Sequence, residues 1–547
     1  MSMPNLLLVT ILLPLAGALL IALVGRDVRA ARQTALAVAL GTVALAGVLL
    51  ANYQAGDGPF AEWSYAWLGE ATGIDIRFDV ALDGLSLWLF GLSALLLLTC
   101  VLLSWDSVTE RPGAYYALLL LLGAGMLGVF AARDIILFYV FFEFTLIPLF
   151  FLIGVWGHEE RQYAAVKFFI YTLAGSMLTF LALLAIVLWD YYHSPDGRMT
   201  FSIPALTAGL AARPIAAPYQ LWIFLGLFAG FAIKVPLFPL HTWLPLAHTQ
   251  APAAGSVLLA GILLKIGTYG FLRFNIPMLP DATAACVPWM LALSVAGILY
   301  GALVALVQTD MKRLIAYSSV SHLGFCMLGL FALTGLGVEG GVLQMINHGL
   351  STGGLFAVVG MVYDRYHTRE IRELSGLARE TPLLAFFFLL FTFSSIGLPG
   401  LNGFAGEFLI LIGMFQRAFA GIPAADPLAL LYKTIAVLAV FGVVLGAWYM
   451  LWLVQRVFFG PPRESGHEHP ASGMRDLTPW ETAALVPLAV FVVWIGLHPE
   501  FFLSRMRPTL EPLAQSAATA LAERTGAGRL PAIAERTPTT GGNSLVE

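Results

Sequence analysis

The chain reads as an all-α membrane protein of about fourteen transmembrane helices, and three observations carry that reading. It is 59% hydrophobic and only 11% charged, with a mean hydropathy of +0.83, whereas soluble domains carry roughly 25% charged residues. Its apolar runs are about 20 residues long, enough to cross a hydrocarbon core as helix. They lack the period-2 alternation of barrel strands, and lipid admits only helices or closed barrels.

In order, the expected spans start at Pro4–Val24, with no basic residue ahead of it and no break before Val24. That marks a retained span rather than a cleaved leader. Thr34–Tyr53 and Leu82–Leu103 complete an N-terminal group within residues 1–112. Tyr115–Ala131, Asp134–Val155, Val166–Trp189, Leu221–Leu244 and Val257–Phe274 are spans 4–8, in residues 113–276. Trp289–Val307, Leu314–Leu333, Val342–Tyr363, Leu384–Phe415 and Ile435–Phe459 are spans 9–13, in 284–460. Ala483–Leu497, in 480–503, is the last span, and 504–547 is a polar tail expected to fray. The twelfth run is long because it contains a break.

The basic residues set the expected orientation. Loops after odd-numbered spans hold fifteen Lys and Arg and loops after even-numbered spans hold seven. The positive-inside rule then places both termini outside, in the periplasm of a bacterial cell. Spans 4–8 and 9–13 read as two copies of a five-helix unit. An odd helix count makes the second copy enter from the opposite face, as in transporter inverted repeats. In each copy the fourth helix carries prolines and a charge.

Those charges are the candidate chemistry. Lys234 precedes Pro236 and Pro239 in GFAIKVPLFPLH, and Glu407 follows Pro399 in GLPGLNGFAGEF. Pro236 cannot donate a hydrogen bond and crowds the carbonyl of Ala232, so span 7 should open beside Lys234. Lys234 then ends an upstream half-helix, where the dipole favours a cation. Glu407 sits near the start of a downstream half, where it favours an anion. Glu143 in span 5 and Lys265 in span 8 are also at mid-depth. A charge there costs about 2.5–3.5 kcal/mol on the lenient scale and commonly marks an ion or proton pathway. The structural alternative is a set of ion pairs that hold helices together.

Histidine titrates near neutral pH and both donates and accepts, which suits a relay. His322 and His348 are mid-span; His241 and His248 flank the end of span 7 and fall nearer an interface. Tyr317 and Ser318 add hydroxyls on span 10 that hold water or bond neighbouring helices. Each histidine equally suits hydrogen-bonded packing. His158, His367, His467 and His469 lie in loops and receive no role, and Asp83, Asp134 and Asp190 sit at span ends as anchors or caps.

Several functions are excluded. Cys100, Cys286 and Cys326 have no metal-type spacing, and the net charge of −4 gives no nucleic-acid partner. There is no phosphate-binding glycine loop, nucleophile triad or dinucleotide fingerprint, so no cofactor, metal or redox centre is expected in this chain.

At HTWLPLAHTQAPAAGSVLLAGILLKIGTYGFLRF and QTDMKRLIAYSSVSHLGF the chain strongly resembles the antiporter-like proton-translocating subunits of respiratory complex I, NADH–quinone oxidoreductase. The resemblance implies inverted five-helix repeats with broken helices 7 and 12. It also implies a bacterial inner-membrane location and L-type and N-type antiporter-like chains as neighbours in the bilayer. Glu143 and Lys234 then resemble the family's modulating pair, Lys265 its central relay, His322 and His348 the link between halves, and Glu407 the terminal group. Glutamate at the second break, where other paralogues carry lysine, selects one branch. Two readings stay open: a proton-pumping subunit that works only within the complex, its quinone site elsewhere, or a subunit of a cation/proton antiporter or membrane-bound hydrogenase.

Overall fold

The computed structural model describes residues 2–24, 27–56, 58–69, 73–195, 197–461 and 475–526. Arg26, Arg463, His467, His469 and the tail beyond residue 526, all weighed above, lie outside the described residues.

Among the described residues thirteen helices are long and apolar enough to cross a membrane, from Met3–Leu23 to Pro479–Leu497. The twelfth span comes as two pieces, Pro382–Ser395 and Asn402–Phe419, which makes fourteen. Span 8 (Ala253–Met278) and span 11 (Gly335–Tyr366) are buried throughout, and span 10 (Met311–Ala332) nearly so. Spans 2, 13 and 14 (Val28–Asn52, Ala429–Val457 and Pro479–Leu497) are the least buried. The polar side chains of spans 8, 10 and 11 are therefore secluded from lipid by the other helices.

Each break follows from local chemistry. Span 5 divides into Ile135–Phe144 and Leu146–Trp156. Pro148 lacks the N–H that would reach the Phe144 carbonyl, and the Thr145 hydroxyl turns back to the Phe142 carbonyl at 2.8 Å. Span 7 stops at Lys234 and resumes as Trp243–Gln250. The Ala232 carbonyl that Pro236 cannot serve accepts instead from Leu237 N, and the Trp243 indole donates to the Ile233 carbonyl at 2.9 Å. In span 12, Gly397 and Gly400 adopt φ of +72° and +92°, a region that favours glycine. Span 8 stays continuous but widens into π turns at Leu259–Leu263 and Phe271–Asn275, on either side of Lys265.

Two matching caps start spans 5 and 10, the second helix of each expected five-helix unit. Asp134 accepts from the backbone of Ile136 and Leu137 at the start of span 5, and Asp310 from Arg313 at the start of span 10. Each also bridges across to a later loop, Asp134 to Ser202 and Asp310 to Glu370. Asp83 and Asp190 are anchors, paired with Arg273 at 2.7 Å and Arg213 at 3.2 Å.

Three elements depart from the sequence reading, one of them the short helix Ile203–Ala212 in the loop before span 7. Residues 54–81, assigned no structure above, include an antiparallel hairpin, β1 (Phe60–Leu68) and β2 (Ile74–Leu82). Alternating side chains drive it, with Trp63 edge-on to Phe78 at 5.7 Å between centroids. The hairpin ties to span 5 because Asp134 accepts from Arg77 N at 3.0 Å. The tail is not frayed where it is described, since Pro499–Thr525 is a helix. Phe502 packs on Trp88 at 4.6 Å, and Arg507 grips the buried Glu339 carboxylate at 2.9 and 3.2 Å. A polar composition concealed this amphipathic face, with Leu503, Met506, Leu510, Ala517 and Leu521 buried along it.

Candidate proton-transfer row

Four buried groups stand in sequence across the centre of the molecule. Lys265, between the two π turns of span 8, donates to the Ala260 carbonyl and lies 2.6 Å from His348 Nδ1 on span 11. The His348 ring is 5.7 Å from that of His322 on span 10, centroid to centroid. His322 Nδ1 lies 3.3 Å from Glu407 Oε1, and its Nε2 is 3.0 Å from the Ser395 hydroxyl. Lysine, two imidazoles and a carboxylate thus run from span 8 to the second piece of span 12.

The Glu407 end is closely furnished. Gln344 Nε2 donates to Glu407 Oε1 at 3.2 Å, and Asn347 Nδ2 donates to Gln344 Oε1 and to the Asn402 carbonyl. Ser394 donates to Asn402 Oδ1 at 2.5 Å, which holds the two pieces of span 12 in line. Such amides donate to a carboxylate and fix its position.

The Lys234 end is looser. Lys234 is buried as the last residue of its half-helix and lies 4.8 Å from the centre of the Phe142 ring. Glu143, one residue on from Phe142, is half-buried on a face that exposes Val140, Ile147 and Phe151. Tyr139, Ser176 and the Lys234 charge act on the Glu143 carboxyl, and its Oε1 has no hydrogen-bond partner among the described residues. The span-7 break packs against span 8 at Gly267, two residues past Lys265, where a Cβ would stand 2.6 Å from the Phe231 carbonyl oxygen.

The remaining sequence candidates separate. His241 is buried beside Tyr300 and Tyr317, at 5.0 and 6.4 Å between rings, away from the Lys265–Glu407 row. Ser318 turns its hydroxyl onto the Ile315 carbonyl of its own helix. His248 is fully buried, stacked 4.4 Å from the Phe356 ring. Both its ring nitrogens, and His348 Nε2, lack protein partners. Buried polar atoms in that state call for bound water, the medium a proton needs to cross such gaps.

Sequence reasoning missed the cluster at the end of span 7. Lys312 counted only as a loop cation, yet it is buried and donates to the Ala251 carbonyl at 2.5 Å. Arg369 reaches the Thr249 carbonyl at 3.0 Å, and His158 N reaches the Gln250 carbonyl at 2.9 Å. Burial, with Lys312 and Arg369 close by, holds the His158 imidazole down at about 3, so it is uncharged near neutrality. The available signal was position, since Lys312 is the second residue of span 10 itself, with Arg313 beside it.

Residues 132–425 match the family model described as NADH:quinone oxidoreductase/Mrp antiporter, TM. NADH-quinone oxidoreductase subunit M of Rhodobacter capsulatus is 40% identical over 522 residues, covering 94% of this chain and 97% of the relative. NADH-ubiquinone oxidoreductase chain 4 of Chondrus crispus is 38% identical over 505 residues, covering 92% and 96%. A chain in the structure of respiratory complex I from Thermus thermophilus with bound NADH superposes with a TM-score of 0.80 at 33% identity, covering 93% of this chain and 99% of that one. A chain of the Mrp complex from Dietzia sp. DQ12-45-1b gives 0.76 at 23% identity, covering 94% and 52%, a likeness of fold.

Proposed function

Since this chain belongs to the NADH:quinone oxidoreductase/Mrp antiporter transmembrane family, we propose that it is a proton-translocating subunit in the membrane arm of NADH–quinone oxidoreductase. It works among other antiporter-like membrane chains, while quinone is reduced elsewhere in the complex. The observation that carries this reading is the row Lys265–His348–His322–Glu407, whose members are within bonding or ring-contact distance of one another. The near-full-length relatives favour complex I over a separate antiporter or hydrogenase subunit.

In this reading Glu143 modulates Lys234. Unit charges ~4 Å apart interact by about 4 kcal/mol at an effective dielectric of 20, roughly three pKa units. The two side chains are not in ion-pair contact here, so a small approach of Glu143 loads Lys234 and a retreat unloads it. Lys234 passes its proton to Lys265, the two imidazoles carry it on, and Glu407 releases it. The loops after odd-numbered spans face the cytoplasm and both termini face the periplasm, as the basic surplus indicates.

NADH-driven proton uptake in membrane vesicles carrying the assembled complex tests this. Glu143→Gln or Lys234→Ala is expected to lower protons moved per NADH oxidised, with assembly intact. Unchanged uptake in both variants would reject the pathway.

A further inference from the structure

Lys265 has two unlike sides. Towards the first π turn it meets the Ala260 carbonyl and His348, and Gly261 of that turn packs on the Gly349 backbone of span 11. The unpartnered Nε2 of His348 adds a place for water there. Towards the second π turn the chain offers rings instead. Tyr269, one turn on, stands 5.2 Å from Phe130 and 6.3 Å from Phe138, centroid to centroid. Phe274 lies 4.9 Å from Phe138 and 6.0 Å from Phe231. All of these rings are buried.

Arg273 closes this layer, about 12 Å along span 8 from Lys265 at 1.5 Å per residue. Its Nε donates to the Tyr269 hydroxyl at 3.1 Å, and its Nη1 lies 2.7 Å from Asp83 Oδ2. Asp83 is the outer member of the pair. It accepts from the Leu85 and Ser86 amides at the start of span 3, and its side chain is 26% exposed against 15% for Arg273. The guanidinium therefore stands between that carboxylate and Lys265. The last helix roofs the pair, because Thr509 Oγ1 accepts from Gly84 N at 3.0 Å. In the orientation proposed above, span 3 begins at the periplasmic face.

A pump must also hold what it has moved. A proton crossing a layer of rings has few groups to ride on, and a fixed cation beyond the layer repels it. Arginine suits that place because, unlike lysine, it keeps its charge when buried. We propose that Arg273, held by Asp83 and Tyr269 behind the aromatic layer, is the barrier that stops protons leaking between Lys265 and the periplasmic face. The inference rests on the translocation reading above and gives Arg273 no part in carrying the proton.

The test uses the assembled complex in proteoliposomes. Without NADH, the decay of an imposed pH difference reads the passive leak; with NADH, the same vesicles read pumping. Arg273→Gln combined with Asp83→Asn removes both charges at nearly constant volume. It is expected to leak about tenfold faster than wild type, since a unit charge at close range is worth at least that factor. NADH oxidation should continue in it, with a smaller pH difference held. Arg273→Lys is the second variant, because it keeps a cation and a donor for Asp83 and so the packing. Lysine releases a proton where arginine does not, and its leak should fall between the other two. Adding Lys265→Ala to the amide pair should return the leak to the wild-type level, because the path runs through that lysine. A wild-type leak in either assembled variant, or a fast leak that Lys265→Ala does not close, overturns the barrier alone. Wild-type pumping by Lys265→Ala overturns the translocation reading and the barrier with it.

Discussion

The two broken helices share a plan but are furnished in opposite ways. In span 12 the ionisable group sits within the second piece, where Glu407 meets His322 at 3.3 Å and Gln344 at 3.2 Å. In span 7 it ends the first piece, where Lys234 has an aromatic ring at 4.8 Å and no carboxylate in contact. Glu143 beside it is half-buried with an unpartnered oxygen, on a face rich in exposed apolar residues. The second break holds its carboxylate among protein partners, and the first leaves its carboxylate open to influence from outside the chain. A fixed site suits release at a set affinity, whereas a loose pair can be tuned by whatever packs on that face.

The largest expected effect comes from the residue between the halves. Lys265→Ala should lower proton flux through this chain on the order of a hundredfold, the usual worth of a positioned proton-transfer group, read as protons taken up per NADH oxidised. Next come the halves themselves. Glu407→Gln should cost about tenfold or more in the same measurement, with partial recovery in Glu407→Asp, because a pair at contact distance exceeds the ~1.4 kcal/mol that tenfold represents. Glu143→Gln should cost less; equal losses would erase the contrast drawn here. Gly267→Val forces a side chain against the Phe231 carbonyl at the span-7 break. It should destabilise the assembled complex by about 1–3 kcal/mol, seen as a lower midpoint of thermal inactivation. The smallest effects are at the caps, where Asp134→Ala and Asp310→Ala should each cost about 1 kcal/mol. A clearly larger loss of pumping from Asp134→Ala would show that the open half depends more on how its helix begins.

Much of this was legible in the chain. The spans, both proline-marked breaks and the burial of Lys234, Lys265 and Glu407 follow from apolar length and from proline's missing donor. The approach of Lys265 to His348 does not, because residues 83 positions apart meet only through the packing of spans 8 and 11. The burial of His248 was hidden because sequence distance from the break cannot say that span 7 resumes as the helix Trp243–Gln250. Lys312 hid among the loop cations for a similar reason, since a charge at a span end is solvated unless other elements cover it. The hairpin was visible in the alternation of FAEWSYAWL and IDIRFDVAL, but long apolar runs drew attention from a short amphipathic stretch.

The matched aspartate caps have a metrical consequence. Glu143 lies nine residues beyond Asp134, and His322 twelve beyond Asp310, each along unbroken helix. At 1.5 Å per residue these stretches are about 14 and 18 Å. On the proposed inverted arrangement, which sets the caps at opposite faces of a hydrocarbon layer ~30 Å thick, they arrive at nearly one level. On that arrangement each cap is a surface datum, and a fixed count of residues is the scale. Inserting one residue between Asp134 and Glu143 would lower that carboxylate by about 1.5 Å and rotate it by about 100°, while leaving every group at the midplane chemically unchanged.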